Sequence, residues 1–66
     1  MPGEYDERFA DIAERLRSIS EELSELGLGA LREAVANGAT ERPPVEKPIA
    51  AARRAVEKAI RSLDTA

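Results

Sequence analysis

Residues 5–30 read YDERFADIAERLRSISEELSELGLGA, and the spacing of apolar side chains in this stretch decides the fold. The apolar positions follow one another at steps of four and three: Tyr5, Phe9, Ile12, Leu16, Ile19, Leu23, Leu26 and Ala30. Such steps keep side chains on one side of an α-helix, and their repetition forms the seam of a coiled coil or a helical bundle. The stretch therefore predicts a long helix that packs against other helices.

The predicted first helix covers residues 6–37. Asp6 is the expected N-cap, because a short carboxylate can accept hydrogen bonds from the free amides of the first turn. At the other end, Asn37-Gly38 is a strong stop signal, since glycine readily adopts the left-handed conformation that follows a helix.

Two glycines in the pattern leave an alternative open. Gly27 and Gly29 each cost about 1 kcal/mol relative to alanine inside a helix. One interpretation is a break that gives three helices in total. The other is a continuous helix, which we favour because no good N-cap precedes Leu28.

The second predicted helix covers residues 45–64 and follows a proline-rich connector, residues 38–44. Pro43 and Pro44 prevent continuation of the first helix. The start of the second helix stays open between Pro44 and Pro48, since proline is tolerated in the first turn. Its apolar positions repeat the same spacing: Val45, Ile49, Ala52, Val56, Ala59 and Leu63. A short connector makes the two helices antiparallel neighbours, so residues 1–66 form one all-α helical hairpin.

Counting residues outward from the turn predicts which side chains of the two helices meet. The expected pairs are Val45 with Val35, Ile49 with Leu31, Ala52 with Leu28, Val56 with Leu26, Ile60 with Leu23 and Leu63 with Ile19. The second helix ends at that point. Four side chains of the first helix are then expected to lack a partner within the chain: Tyr5, Phe9, Ile12 and Leu16.

The small size of the chain indicates that these four side chains form an association interface. Domains shorter than about 70–80 residues rarely bury enough apolar surface without disulfides, a metal or oligomerisation. The 66 residues include no cysteine and no histidine, so oligomerisation is the remedy that is left. We expect a homodimer in which two hairpins form a four-helix bundle. A different protein partner is the alternative.

Charge is distributed unevenly within the net −3 of the chain. Residues 1–41 hold four basic and ten acidic residues, a net −6, whereas residues 42–66 hold six basic and three acidic residues, a net +3. The simplest expectation is that the two halves complement each other, within the hairpin or across a dimer. Four cations share one face of the second helix and form a possible anion-binding face: Lys47, Arg54, Lys58 and Arg61. Nucleic acid is not an expected partner, because no aromatic residues are interleaved with these cations.

No motif indicates an enzyme, a metal site or a cofactor. The serines have no histidine to activate them, and no glutamate lies on the apolar seam. There is no apolar run long enough for a membrane span and no secretory signal, so the expected location is cytoplasmic. The predicted function is a small non-enzymatic interaction or regulatory protein that acts by self-association or by binding a partner helix. The alternative is a module that binds a phosphate ligand, either a nucleotide or a nucleic acid, through the basic face.

Overall fold

The computed structural model describes residues 3–65 and contains two α-helices, α1 (Glu4–Ala36) and α2 (Glu46–Asp64). The two helices pack against each other along their length in an elongated hairpin that measures 57 × 14 × 10 Å. The predicted all-α helical hairpin is confirmed.

The first helix begins at Glu4, with Gly3 in the N-cap position. The prediction of Asp6 as N-cap is wrong, because the Asp6 amide already donates to the Gly3 carbonyl at 3.0 Å and lies inside the first turn. Among the described residues, no side chain caps this end. Instead, Glu4, Asp6 and Glu7 place negative charge beside the free amides, which the helix dipole favours.

The glycines at 27 and 29 do not interrupt α1, so the prediction of a continuous helix is confirmed. Gly27 faces α2: a Cβ built on it would lie 3.6 Å from Cγ2 of Ile49. The same construction on Gly29 meets nothing within 4 Å. One glycine therefore lies under the second helix and the other faces open space.

The end of α1 is a Schellman motif built on the predicted stop signal. Asn37 is the C-cap, and Gly38 follows it with φ of +76°. The Gly38 amide donates to the Val35 carbonyl at 3.0 Å, and the Ala39 amide donates to the Ala34 carbonyl at 2.9 Å. Glycine is favoured here because a side chain would be strained at this backbone conformation.

The second helix begins at Glu46, inside the interval left open by the sequence. The Glu46 amide donates to the Pro43 carbonyl at 3.0 Å, so a helical turn has formed before Pro48. Pro48 is the third helical residue. Its missing N–H costs little, because amides of the first turn have no acceptor within a helix.

The register between the helices is shifted from the predicted one. Ile49 lies against Gly27, one turn before the predicted Leu31, which lines the same depression. Leu63 shares a surface depression with Phe9 and Ala10, more than two turns before the predicted Ile19. The cause lies in the connector: Pro43 and Pro44 line one depression together with residues 30–37, so the chain doubles back beside α1 before α2 begins. α2 therefore reaches further along α1 than residue counting indicates.

Packing of α2 divides α1 into three parallel rows, each with a period of seven residues. The central row is half-buried and holds Phe9, Leu16, Leu23 and Ala30. The small row lies on one side of it and holds Ala13, Ser20, Gly27 and Ala34. The open row lies on the other side and holds Tyr5, Ile12, Ile19 and Leu26. α2 covers the central and small rows, and Ala13 is the only fully buried residue within 3–65.

Candidate functional site

The open row is the most extended apolar surface of the hairpin. Its side chains remain 57% (Tyr5), 42% (Ile12), 44% (Ile19) and 61% (Leu26) exposed. At 1.5 Å per residue, the row extends for about 32 Å along α1. A continuous apolar surface of this kind marks an interaction site on a small protein.

The structure separates the four predicted anchors into two pairs. Tyr5 and Ile12 lie in the open row, as expected for side chains without an internal partner. Phe9 and Leu16 are half-buried in the central row, and Phe9 lies beside Leu63. The prediction that all four lack a partner within the chain is therefore wrong for Phe9 and Leu16.

Ile19 and Leu26 complete the open row, although both were predicted to pack against α2. A signal that would have revealed them is present in the sequence. Small residues recur every seven positions at 13, 20, 27 and 34, and small residues allow the closest approach of two helices. That row indicates which side of α1 the second helix covers.

Tyr5 is held in place by its neighbours on α1. Its ring stacks on Phe9 with centroids 6.2 Å apart and an angle of 27° between the planes. The Arg8 guanidinium lies over the Tyr5 ring at 5.7 Å from its centroid. A cation over an aromatic face is attracted by the electron density of the ring. Tyr5 and Arg8 therefore form one unit at the N-terminal end of the open row.

An apolar groove lies at the opposite end of the open row, where α2 begins. We call it the connector groove, and it is lined by Leu26, Gly29, Ala30, Val45, Pro48 and Ile49. Three exposed carboxylates also line it: Glu22, Glu25 and Glu33. Within residues 3–65 no group of three acidic side chains converges closely enough to hold a metal ion. The groove is thus apolar in its floor and acidic at its border.

Charges beside the open row differ between its two ends. Arg8 and Arg15 lie along the outer edge of the N-terminal half, and Arg15 pairs with Asp11 at 3.0 Å. Glu22 occupies the same heptad position in the C-terminal half. This position therefore changes from basic to acidic along the row, whereas the next position outward is acidic at Glu4, Asp11 and Glu25.

A second, shorter apolar patch lies on the other side of α2. It consists of the exposed Leu28, Leu31 and Val35, confined to the last turns of α1. Leu28 and Leu31 line a depression together with Glu46 and Arg53. Glu46 Oε2 and Arg53 Nε are buried there without hydrogen-bond partners, although Glu46 Oε1 accepts from Arg42 at 2.9 Å. The sequence alone does not reveal this pair, because its burial depends on the register of the helices.

The predicted basic face is exposed at all four positions: Lys47, Arg54, Lys58 and Arg61. Among the residues that the structure describes, none of the four forms an ion pair with a carboxylate. The ion pair between the helices joins Arg17 of α1 to Asp64 of α2 at 2.7 Å. Here the cation comes from the net-acidic half of the chain and the carboxylate from the net-basic half. This ion pair is therefore not the predicted pairing of the acidic half with the basic half.

Comparison with known proteins adds no relative: no protein-family model, no curated protein and no solved structure matches the chain. No helix between residues 3 and 65 combines the length and the apolar character needed to cross a membrane. The surfaces of the hairpin are therefore the basis for assigning a function.

Proposed function

We propose that this chain is a non-enzymatic interaction protein that acts by self-association, with two hairpins pairing their open rows to form a four-helix bundle. The observation that carries the proposal is the open row itself. Four large apolar side chains recur every seven residues along α1 and stay exposed, while α2 covers the neighbouring central row. A heptad row of this kind is the contact surface of paired helices.

The energetics of the single hairpin support pairing. Only Ala13 is fully buried among the described residues, so the hairpin alone has almost no dry core. Complete burial of one large apolar side chain contributes about 1.5–3 kcal/mol. Pairing of two open rows removes eight such side chains from water, four from each copy. This gain opposes the entropy cost of association and supplies the core that one hairpin lacks.

The edge charges favour a second copy over an unrelated partner. The position that borders the open row holds Arg8 near one end and Glu22 near the other, so each of these side chains can meet its opposite charge on a reversed copy. Interfaces with two-fold symmetry require this kind of self-complementarity. A partner of another sequence is an outcome that the experiment distinguishes.

The test compares two neighbouring substitutions in sedimentation velocity at micromolar concentrations. Ile19→Asp places a charge in the centre of the open row, whereas Ser18→Asp places the same charge on an exposed position outside it. We expect the wild type and Ser18→Asp to sediment as dimers and Ile19→Asp as a monomer, because an unpaired carboxylate is costly to bury. Circular dichroism checks that both variants stay helical.

Two results would overturn the proposal. One is a wild-type protein that keeps its single-chain mass of 7.2 kDa throughout the micromolar range. The other is an Ile19→Asp variant that dimerises as tightly as Ser18→Asp. A monomeric wild type that gains mass only with another protein would show that the open row serves a different partner.

The basic face supports a second candidate function, the binding of a phosphate ligand or a nucleic acid. Its four cations are exposed on one face and form no ion pair among the described residues. Binding to phosphates through such a face weakens as salt rises, because counterions are released. Fluorescence anisotropy with labelled duplex DNA at low salt tests it, with Arg54→Gln compared with Arg32→Gln on α1. Equal binding by the two variants, or none by the wild type, would reject this function.

A further inference from the structure

We propose that the open rows pair in antiparallel orientation and that Tyr5 and Arg8 of each copy occupy the connector groove of the other. This inference rests on the proposed self-association and adds its orientation and its specific contacts. It assigns an occupant to a groove that the isolated hairpin leaves open.

The positions in the open row fix the pairing. A two-fold axis through the middle of the row, beside residues 15 and 16, places Tyr5 opposite the second copy's Leu26 and Ile12 opposite the second copy's Ile19. Leu26 is the member of the row that lines the connector groove. The same symmetry operation that pairs the rows therefore brings each Tyr5 to the groove of the other copy.

The groove has room for an aromatic ring. Gly29 forms part of its lining, and a Cβ built on Gly29 would meet no atom within 4 Å. Val45 and Leu26, both more than half exposed, supply apolar walls. A tyrosine ring bordered by such groups buries its apolar body and keeps its hydroxyl near water, which is the usual position of tyrosine at interfaces.

Charge selects the antiparallel orientation. Arg8 lies over the Tyr5 ring, so it arrives at the groove together with the ring and meets the carboxylates that line it. Arg8 and the second copy's Glu22 fall at the same level in the antiparallel pair. A parallel pair would instead place the edges that carry Arg8 and Glu22 on opposite sides of the contact, so that these charges would not meet. The antiparallel pair is therefore the arrangement in which they attract each other.

The centre of the pair is also compatible with this orientation. The two-fold axis brings the two Arg15 side chains together, which would be unfavourable for isolated cations. Each Arg15, however, already pairs with Asp11 of its own helix at 3.0 Å. Two ion pairs rather than two bare cations therefore meet at the axis.

Cysteine crosslinking tests the orientation directly, because the chain contains no cysteine of its own. Arg8→Cys and Glu22→Cys are prepared as separate proteins, with Ser18→Cys as the exposed control. Each protein then holds a single cysteine, so a disulfide can form only between two copies. We expect an equimolar mixture of the first two variants to form a mixed disulfide dimer under mild oxidation. Each variant alone should crosslink no more than the control.

A charge exchange gives an independent readout of the contact. Arg8→Glu and Glu22→Arg should each dimerise roughly tenfold more weakly than the wild type, since each homodimer then carries two like-charge contacts. Mixing the two variants restores both ion pairs, so a mixed dimer of near wild-type affinity is expected. Sedimentation equilibrium measures all three affinities.

The possible outcomes distinguish the groove contact from self-association itself. Self-crosslinking of an Ile12→Cys variant above the control would show a parallel dimer, in which each open-row residue meets its equivalent, and would overturn the groove contact while self-association stands. A dimer that neither crosslinks in the mixture nor responds to the charge exchange would also overturn the groove contact alone. A wild-type chain that stays monomeric would overturn both proposals.

Discussion

The two flanks of the central row on α1 differ in the size and in the exposure of their side chains. The small row on one flank, which includes Ala13 and Gly27, lies under α2. The open row on the other flank consists of tyrosine, isoleucine and leucine, and these side chains stay exposed. Both rows have the same period and the same length, so size is the property that distinguishes them.

This difference shows how one helix can pack against two partners on different sides. Helix axes approach most closely where the side chains between them are small. α2 therefore takes the side where Ala13 and Gly27 permit a close approach, and a connector of fixed length holds it there. The larger side chains on the other flank can be buried only by a helix at a wider distance, which we propose is the α1 helix of a second copy.

The largest expected effect comes from filling the small row. Ala13→Leu adds a bulky side chain at a position that is 0% exposed, so it should push α2 away and lower the free energy of unfolding by about 1–3 kcal/mol. The matched control Ala55→Leu makes the same change at an exposed site on α2 and should alter it by less than about 0.5 kcal/mol. Urea denaturation followed by circular dichroism measures both. Equal effects of the two variants would show that the small row is not the packed side.

Substitution of the two glycines of α1 should change the free energy of unfolding by less and in the opposite direction. Gly27→Ala and Gly29→Ala should each raise the free energy of unfolding by about 0.5–1 kcal/mol, because alanine favours the helix. At position 27 the new methyl group would lie 3.6 Å from Ile49, an ordinary contact distance. Thermal unfolding of the two variants provides the measurement. A destabilised Gly27→Ala protein beside a stabilised Gly29→Ala protein would mean that the helices lie closer than described.

The smallest expected effect concerns the ion pair that joins the middle of α1 to the last turn of α2. Arg17 and Asp64 are both about half exposed, so their coupling should be no more than about 0.5 kcal/mol and should weaken with salt. A double-mutant cycle with Arg17→Ala and Asp64→Ala isolates it. A coupling well above about 1 kcal/mol, or one that salt does not weaken, would contradict the exposure of this pair.

Much of the fold was predictable from the sequence because it depends on local signals. The heptad spacing from Tyr5 to Ala30 predicted the long helix, and Gly38 marked its end through the backbone conformation that glycine permits. Pro44 and Pro48 bracketed the start of α2. Each of these signals acts within a few residues of the feature that it determines.

The register and the membership of the open row were not predictable by counting. Both depend on the path of the connector, where Pro43 and Pro44 double back beside α1, and on which flank allows the closer packing. Apolar spacing alone treats Ala13 as a gap in the pattern, although it is the most buried residue described. The predicted association interface therefore combined Tyr5 and Ile12 of the open row with Phe9 and Leu16, which α2 half covers.

The most direct test of the open row uses Tyr5, the only tyrosine in a chain without tryptophan. Acrylamide quenching of its fluorescence reports how accessible the ring is, and it can be followed from low to high micromolar protein. We expect quenching of the wild type to fall as concentration rises, while quenching of Ile19→Asp stays high throughout. Quenching of the wild type that is strong and independent of concentration would contradict self-association through this surface.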